Sequence, residues 1–422
     1  MSWRVINADV IDGLRQLPDE SVHCVICSPP YLWQRDYNCD GQIGLEPTIQ
    51  EYLARLIEVF DEVRRVLRKD GTLWVNIADG YVNDAKCGGA SGHKNDDSAA
   101  GGYQRTKRSQ KTGLPTKTLM AIPARFQIAM IDAGWRCRQE IIWHKPTARP
   151  ESVQDRCSRD HEMLYLFSKA NRYYFDQEAV KQPASPKTLT VKTCPRKGDG
   201  TQSAGERWSL YQDTHGQYQV EERNLRTVWS ISAEPSNEQH YAAFPTALPT
   251  VCIQASTSEK GCCSACSAPW VRLVQKEKGT PKSFNGSSFL GGKTARAVDS
   301  FDAANGRQHS VGQGPRTMST QTIGWKSSCE CDAGLSDCLV LDPFAGTSTT
   351  GIAALRLGRR FIGIELNPEY AAISERRLRE AERNSIGDLF MPAAAHVQQG
   401  LFAMNGGVDG HNGHAQAEPV RR

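Results

Sequence analysis

The sequence predicts an α/β protein with a mainly parallel, doubly wound sheet. Short apolar runs typical of buried strands, at residues 22–26 and 71–77, flank an amphipathic helical pattern over residues 49–68. Strand, helix and strand in this rhythm form parallel pairs. Residues 340–364 repeat the rhythm near the other end of the chain as strand, tight turn, helix and strand. The sequence therefore predicts one sheet assembled from two distant halves.

Further elements are predicted between these halves. A first strand at residues 5–7 precedes a short helix, and a helix over 123–133 is followed by strands over 135–144 and 162–167. Residues 1–175 thus form one half of the sheet, residues 229–260 return to it, and residues 336–384 supply the other half. We expect the tail, residues 385–422, to be flexible because it is polar and rich in glycine.

Composition narrows the class of protein. The 422 residues are 39% hydrophobic and 23% charged, with a net charge of +4, which permits a polyanionic partner without requiring one. The chain shows no apolar run long enough to cross a bilayer and no signal peptide, so we expect a cytoplasmic protein without a membrane partner. Fourteen cysteines in a reducing compartment predict buried thiols or metal ligands, because disulfides are rare there.

Three polar insertions interrupt the pattern, at residues 84–118, 176–226 and 276–326. The first is predicted to be a mobile basic loop, either simply solvated or ordered on a phosphate backbone. Four of its basic residues and one arginine from a later loop are the candidates for contacting such a backbone: Arg105, Lys107, Arg108, Lys111 and Arg156.

The tetrapeptide Ser28-Pro29-Pro30-Tyr31 follows the second predicted strand. Two prolines fix the backbone and remove two amide donors, which leaves carbonyl acceptors beside a serine hydroxyl and an aromatic face. Such a cluster suits a planar heterocycle held by its amino group, at the strand ends where α/β sheets bind ligands. An ordinary proline turn is the alternative reading.

A second motif runs from Asp342 through Gly346 to Gly351, between a strand and a helix start. Gly346 lets backbone approach a ligand, and the following helix offers free amides. Glu365 ends the next strand, about twenty residues after the turn, where a carboxylate accepts hydrogen bonds from ribose hydroxyls. The three-glycine pyrophosphate fingerprint is absent. A cofactor with a ribose and no pyrophosphate, such as S-adenosylmethionine, therefore fits better.

Together the two motifs closely resemble those of the amino-group DNA methyltransferases, which methylate cytosine N4 or adenine N6. The catalytic motif precedes the cofactor motif, which is the order of the β group of this family. The resemblance implies a permuted methyltransferase sheet of the seven-stranded type, S-adenosylmethionine as cofactor, double-stranded DNA as partner and a target base swung out of the duplex. It makes residues 176–228 the candidate target-recognition insertion. It also raises a cognate restriction endonuclease as a further partner and leaves the oligomeric state open.

The resemblance also assigns roles to residues. The catalytic motif would comprise Ser28, Pro29, Pro30 and Tyr31. Within it, Ser28 and Pro29 would bind the target amino group, and Tyr31 would stack on the base. Asp9 is a candidate for a polar contact in the same pocket, with a helix N-cap as its alternative role. Serine in the first motif position favours cytosine N4, with adenine N6 as the alternative. The cofactor candidates are Asp9, Asp342, Pro343, Phe344, Gly346, Ser348, Thr349, Glu365 and Asn367.

Four cysteines bracket the third insertion, within residues 261–335. Cys263 and Cys266 form a Cys-x-x-Cys pair, and Cys329 and Cys331 form a second close pair. Four thiolates suit a tetrahedral structural zinc. The long gap between the pairs weakens this reading, Cys262 is a substitute for Cys263, and reduced surface thiols are the alternative. A DNA-binding protein without catalysis, recognising DNA through this module, is the rival from another functional class.

Overall fold

The computed structural model describes residues 2–82, 112–148, 150–183, 189–190, 218–220, 222–234, 244–278 and 316–388. A single 3₁₀ turn, Glu178–Val180, accompanies the regular elements within these ranges. The helices are α1 (Val10–Arg15), α2 (Ile49–Val66), α3 (Ile122–Asp132), α4 (Ala247–Ser256), α5 (Thr349–Arg356) and α6 (Pro368–Asp388). The strands are β1 (Trp3–Asn7), β2 (Val22–Cys27), β3 (Leu67–Ile77), β4 (Arg136–His144), β5 (His161–Ser168), β6 (Gln182–Pro183), β7 (Leu189–Thr190), β8 (Tyr218–Val220), β9 (Glu222–Arg223), β10 (Val228–Ser230), β11 (Cys262–Cys263), β12 (Val271–Lys278), β13 (Arg316–Lys326), β14 (Leu335–Ser336), β15 (Leu339–Asp342) and β16 (Arg360–Glu365).

The chain divides into two compact units. The first comprises Met1–Tyr173, Thr227–Ile253 and Leu339–Arg422, and the second comprises Tyr174–Arg226 and Gln254–Cys338. The second unit thus contains both of the later polar insertions, residues 176–226 and 276–326, which were predicted as separate segments. Its largest sheet has the order β12-β13-β8-β7, in which β13 pairs with β8 in parallel.

The first unit contains the predicted mostly parallel sheet, with strand order β1-β16-β15-β2-β3-β5-β4-β10. Neighbours pair in parallel except for β5, which is antiparallel to both β3 and β4. Strands from the two ends of the chain meet at the centre, where β15 pairs with β2. Because β2 and β15 are parallel, their carboxyl ends lie at the same edge of the sheet, and both predicted motifs begin there.

The described sheet has eight strands instead of the expected seven. The additional strand, β10, pairs in parallel with β4. Trp229 of β10 is buried against Trp74, with ring centroids 6.0 Å apart, and the Trp143 indole donates to the Ile231 carbonyl. Burial of these large aromatic surfaces favours the extra pairing at the sheet edge.

Helix α2 covers the sheet through one apolar face. Its N-cap Thr48 accepts a hydrogen bond from the Glu51 amide, and the face buries Tyr52, Leu56 and Phe60 among others. Helix α2 ends at Val66, two residues before the predicted end, because Leu67 is already extended and paired with Val22.

No helix among the described residues is long and apolar enough to span a membrane.

Two further boundaries differ from the sequence prediction. Residues 276–326 were expected to be irregular, but β12 and β13 form an antiparallel ladder from both ends of this segment, with 279–315 outside the described residues. Their sequences are polar and lack the apolar alternation that signals a strand. At the other end of the chain, α6 extends to Asp388, past the expected start of the flexible tail.

Candidate active site

A cavity of about 330 Å³ opens at the carboxyl edge of the main sheet, within the first unit. Its lining includes all four residues of the tetrapeptide after β2, together with residues of the motif after β15. The two motifs, more than three hundred residues apart in the chain, therefore share one cavity. Its volume lies at the lower end of the range for small-molecule sites.

The tetrapeptide is held rigidly against helix α2. The buried Tyr52 hydroxyl donates a 2.9 Å hydrogen bond to the Pro30 carbonyl. Gly44, with a positive φ of 101°, passes so close that a side chain there would meet the Tyr31 carbonyl at 3.1 Å. The loop therefore keeps one shape, as the prolines predict.

The Tyr31 hydroxyl is the centre of a polar network. It accepts a 3.0 Å hydrogen bond from Ser28 Oγ and lies 2.9 Å from Glu162 Oε2 and 3.1 Å from Asn76 Oδ1. Burial, followed by the nearby Glu162 charge, raises the pKa of Tyr31 well above its ordinary value. The tyrosine is therefore a neutral hydroxyl at physiological pH.

The cavity lining also includes the Glu365 carboxylate, at the end of β16. One carboxylate oxygen accepts the Gly346 amide at 2.8 Å and the other accepts the Asn367 amide at 2.8 Å. Gly346 has a φ of 53°, in the left-handed region where glycine is least strained. Burial raises the pKa of Glu365 above its ordinary value. Each carboxylate oxygen retains a lone pair for a further donor.

Asp342 is only 2% exposed. Its carboxylate accepts hydrogen bonds from the Phe344 amide at 3.0 Å and the Thr350 hydroxyl at 2.6 Å. Burial raises the pKa of Asp342 to about 7. It is therefore a carboxylate that a bound cation would strongly favour in its charged form.

Most of the other predicted cofactor residues also line the cavity: Asp9, Pro343, Phe344, Thr349 and Asn367. Asp9 also caps α1 by accepting a hydrogen bond from the Ile11 amide, as its alternative role predicts. Ser348 differs from the expectation. Its backbone is left-handed, with φ 59°, and its buried hydroxyl contacts Ser374 and not the cavity. The neighbouring Thr347 lines the cavity in its place.

Several residues that line the cavity were not predicted from the sequence as site residues, and Glu162 and Lys145 are the most important of them. Lys145 follows β4 and forms an ion pair with Glu162 near the start of β5, and its ammonium lies 4.2 Å from the Trp143 ring centroid. A charged residue just before the apolar run of β5 was the available signal. The aromatic lining also includes Tyr37 and Tyr370, which meet edge to face at 6.3 Å.

Of the candidate DNA contacts, only Arg156 lies within the described residues. Its guanidinium donates to Glu151 at 2.5 Å and lies 4.0 Å from the Tyr81 ring centroid. Arg105, Lys107, Arg108 and Lys111 lie outside the described residues. The described end of that loop is bonded to the segment between β4 and β5, because Lys117 pairs with Asp155 at 2.6 Å.

The predicted cysteine cluster forms within the second unit. The Sγ atoms of Cys263, Cys266, Cys329 and Cys331 all lie within 4.8 Å of one another. Cys263 and Cys266 precede β12, and Cys329 and Cys331 follow β13. The Ser267 amide donates to the Cys263 carbonyl at 2.8 Å, which closes the first pair into a tight turn. The cluster thus lies at the end of the ladder where β12 begins and β13 ends.

The chain is similar to known DNA methyltransferases. The sequence model of the N6/N4 DNA methylase family matches residues 22–263 and 315–376. Type II methyltransferase M.SmaI of Serratia marcescens is 31% identical over 378 residues, which cover 89% of this chain and 91% of that protein. Type II methyltransferase M.Cfr9I of Citrobacter freundii is 31% identical over 382 residues, covering 90% and 89%. The solved PvuII DNA methyltransferase, described as cytosine-N4-specific, aligns with 17% identity and a TM-score of 0.47 over 92% of this chain and 93% of that one.

Proposed function

Because this chain belongs to the N6/N4 DNA methylase family, we propose that it transfers a methyl group from S-adenosylmethionine to the exocyclic amino group of a flipped base in double-stranded DNA. The carrying observation is the single cavity that both motifs line. By analogy with its type II relatives, the enzyme would protect its sites from a partner restriction endonuclease.

The motif after β15 fits S-adenosylmethionine. Glu365 is fixed by two amides and keeps lone pairs for both hydroxyls of a ribose. The half-buried Phe344 offers an apolar surface for an adenine ring, and the buried Asp342 supplies negative charge for a cationic ligand. When bound, the cofactor supplies an activated methyl group on a sulfonium. The remaining contribution of the protein is to hold the target nitrogen in line with that methyl group.

The tetrapeptide fits the target base. Ser28 Oγ and the Pro29 carbonyl would accept hydrogen bonds from the amino group, which directs the nitrogen lone pair at the methyl donor. The Tyr31 ring would stack on the base, since aromatic stacking retains a base that has left the duplex. No covalent intermediate with the enzyme is needed. Cys27 agrees with this, because burial raises the pKa of its thiol well above the ordinary value and keeps it unreactive.

We favour cytosine N4 as the target, on the basis of serine at position 28, and adenine N6 is the alternative. The test is to incubate the protein with unmethylated DNA and labelled S-adenosylmethionine, digest the DNA to nucleosides and identify the labelled one by mass spectrometry. Label in N4-methyldeoxycytidine supports the proposal in full. Label in N6-methyldeoxyadenosine keeps the mechanism and overturns the choice of base.

The rival reading, a DNA-binding protein without catalysis, makes a different prediction. Such a protein has no need for a charged carboxylate fixed by two amides on the cavity wall, and it would not bind S-adenosylmethionine. Calorimetry with the cofactor in the absence of DNA separates the two. Absence of measurable binding, together with absence of label in DNAs of varied sequence, would overturn the proposed activity.

We also propose that the four-cysteine cluster binds a structural zinc ion. Four thiolates with Zn–S bonds of about 2.3 Å place the sulfurs about 3.8 Å apart in a tetrahedron, which the observed 4.8 Å limit accommodates. Four protein ligands close the site, so its role would be to fasten the start of β12 to the end of β13. The second unit, which contains this ladder and residues 176–226, is our candidate for target recognition.

A further inference from the structure

Three side chains form a continuous hydrogen-bonded path away from the tetrapeptide. Ser28 Oγ donates to the Tyr31 hydroxyl at 3.0 Å, and the Tyr31 hydroxyl donates to Glu162 Oε2 at 2.9 Å. Glu162 pairs through its other oxygen with the Lys145 ammonium. All four residues line the cavity. The path therefore leads from the proposed position of the amino group to a carboxylate.

The orientation of the tyrosine hydroxyl follows from its surroundings. The Asn76 amide nitrogen donates to the Met163 carbonyl at 3.2 Å, which turns the Asn76 oxygen toward Tyr31. Two acceptors thus compete for one tyrosine proton. Glu162 is nearer and charged, and hydrogen bonds to a charged acceptor are the stronger ones. Asn76 then contributes a second contact that keeps the hydroxyl between Ser28 and Glu162.

When an amino group is methylated, one of the hydrogens that it already carries must leave as a proton. The nitrogen gains a bond to carbon and a positive charge, and it becomes neutral only by losing one of its hydrogens. A group that accepts this proton lowers the barrier, and general bases of this kind contribute about 10²- to 10⁴-fold in rate. Serine and a neutral tyrosine can pass a proton along but cannot retain it as an added charge.

We propose that Glu162 is the terminal proton acceptor of the methyl transfer, reached through the hydroxyls of Ser28 and Tyr31. The N–H bond of the methylated nitrogen breaks as a proton moves to Ser28 Oγ, the Ser28 proton moves to Tyr31, and the Tyr31 proton forms an O–H bond on Glu162. Both hydroxyls end neutral, and the positive nitrogen and negative carboxylate are both discharged. The inference rests on the proposed activity and adds to it the destination of the proton.

The partner of Glu162 suits this role. The Lys145 ammonium forms an ion pair with the Glu162 carboxylate, and among the described residues the charged and titratable groups bonded to Glu162 are Lys145 and Tyr31. The side chains of Lys145 and Glu162 are 25% and 17% exposed. Water therefore reaches the pair, and the proton can pass from Glu162 to solvent after each turnover.

The test compares Tyr31→Phe and Glu162→Gln with the wild type in single-turnover methylation at saturating cofactor and DNA. The Tyr31→Phe substitution keeps the stacking ring but removes the hydroxyl from the path. The Glu162→Gln substitution keeps an oxygen that accepts a hydrogen bond, but the amide cannot take up the transferred proton. We expect each variant, and the double variant, to slow transfer by about 100-fold. Glu375→Gln, on the exposed face of α6, is the matched control and should transfer at the wild-type rate.

Readouts other than rate separate the proton path from a purely structural role. Cofactor affinity by calorimetry and base capture by a fluorescent analogue at the target position should stay within about threefold of wild type in both variants. Wild-type transfer rates in both variants, or slow transfer only where cofactor affinity or base capture is lost as well, would overturn the proton path alone. Absence of any wild-type methylation would overturn the path together with the proposed activity.

Discussion

The Gly346 amide donates a 2.8 Å hydrogen bond to the Glu365 carboxylate, which joins the ends of two neighbouring parallel strands. Gly346 has a φ of 53°, a left-handed conformation that glycine adopts without steric strain, so the chain can turn tightly here. The Asn367 amide binds the other oxygen. The carboxylate is thereby fixed at the cavity wall before any ligand arrives, so little ordering of this side chain is needed on binding.

Replacing Glu365 with alanine should weaken cofactor binding. Hydrogen bonds to a charged group contribute about 1.5–3 kcal/mol, so we expect a roughly 10- to 100-fold loss of affinity. Isothermal calorimetry with S-adenosylmethionine measures this loss directly. Glu369→Ala, at an exposed carboxylate in the first turn of α6, is the control and should leave affinity unchanged. Wild-type affinity in Glu365→Ala would contradict the proposed cofactor site.

Asp342→Asn should change the pH dependence of stability. Burial raises the pKa of Asp342 from 3.8 to about 7. The folded protein therefore binds a proton between these values that the unfolded chain does not, so this group destabilises the fold increasingly as pH rises from about 4 to 7. Asparagine removes that cost. Relative to wild type, the variant should gain more free energy of unfolding at pH 8 than at pH 5, by on the order of 2 kcal/mol.

Urea unfolding at the two pH values, without cofactor, measures the difference for Asp342→Asn. The exposed Asp12→Asn is the control, and it should change the free energy of unfolding by no more than about 0.5 kcal/mol. An equal effect of Asp342→Asn at pH 5 and pH 8 would contradict the raised pKa and its assignment to burial.

The tetrapeptide yields a prediction about catalysis. Pro29→Ala restores an amide donor and loosens φ at the residue whose carbonyl is proposed to accept from the target amino group. Methyl transfer should slow by about tenfold or more, while cofactor affinity stays near wild type. Pro18→Ala, in the exposed turn before β2, is the control. Single-turnover rates beside calorimetry give the comparison, and intact transfer in Pro29→Ala would place the active site elsewhere.

The parts of the site that the sequence predicted are those held by local contacts. Ser28 to Tyr31 and Asp342 to Glu365 follow strands whose apolar runs are plain in the sequence, and their turns are specified by proline and glycine. The parts that it missed depend on distant partners. Glu162 meets Tyr31 across 131 residues of chain, and no pattern within either segment specifies that contact.

Ser348 and the second unit illustrate two other limits. A left-handed backbone at Ser348 turns its hydroxyl toward Ser374, and sequence spacing alone does not reveal such a reversal. Strands β12 and β13 are polar, so the pairing that stabilises them is visible only when both are seen together. The cysteine pairs at their ends were the available signal that these segments meet.

The cysteine cluster gives the last prediction. Purified protein should contain about one zinc ion per chain by elemental analysis, and Cys329→Ser and Cys331→Ser should each lose it. Both residues follow β13, so loss of the metal releases the end of the β12–β13 ladder and should lower the thermal stability of the second unit. The exposed Cys157→Ser, outside the cluster, is the control and should retain zinc. Cobalt substitution should give thiolate charge-transfer bands typical of four sulfur ligands, and a metal-free wild-type protein, or equal zinc loss in Cys157→Ser, would contradict the site.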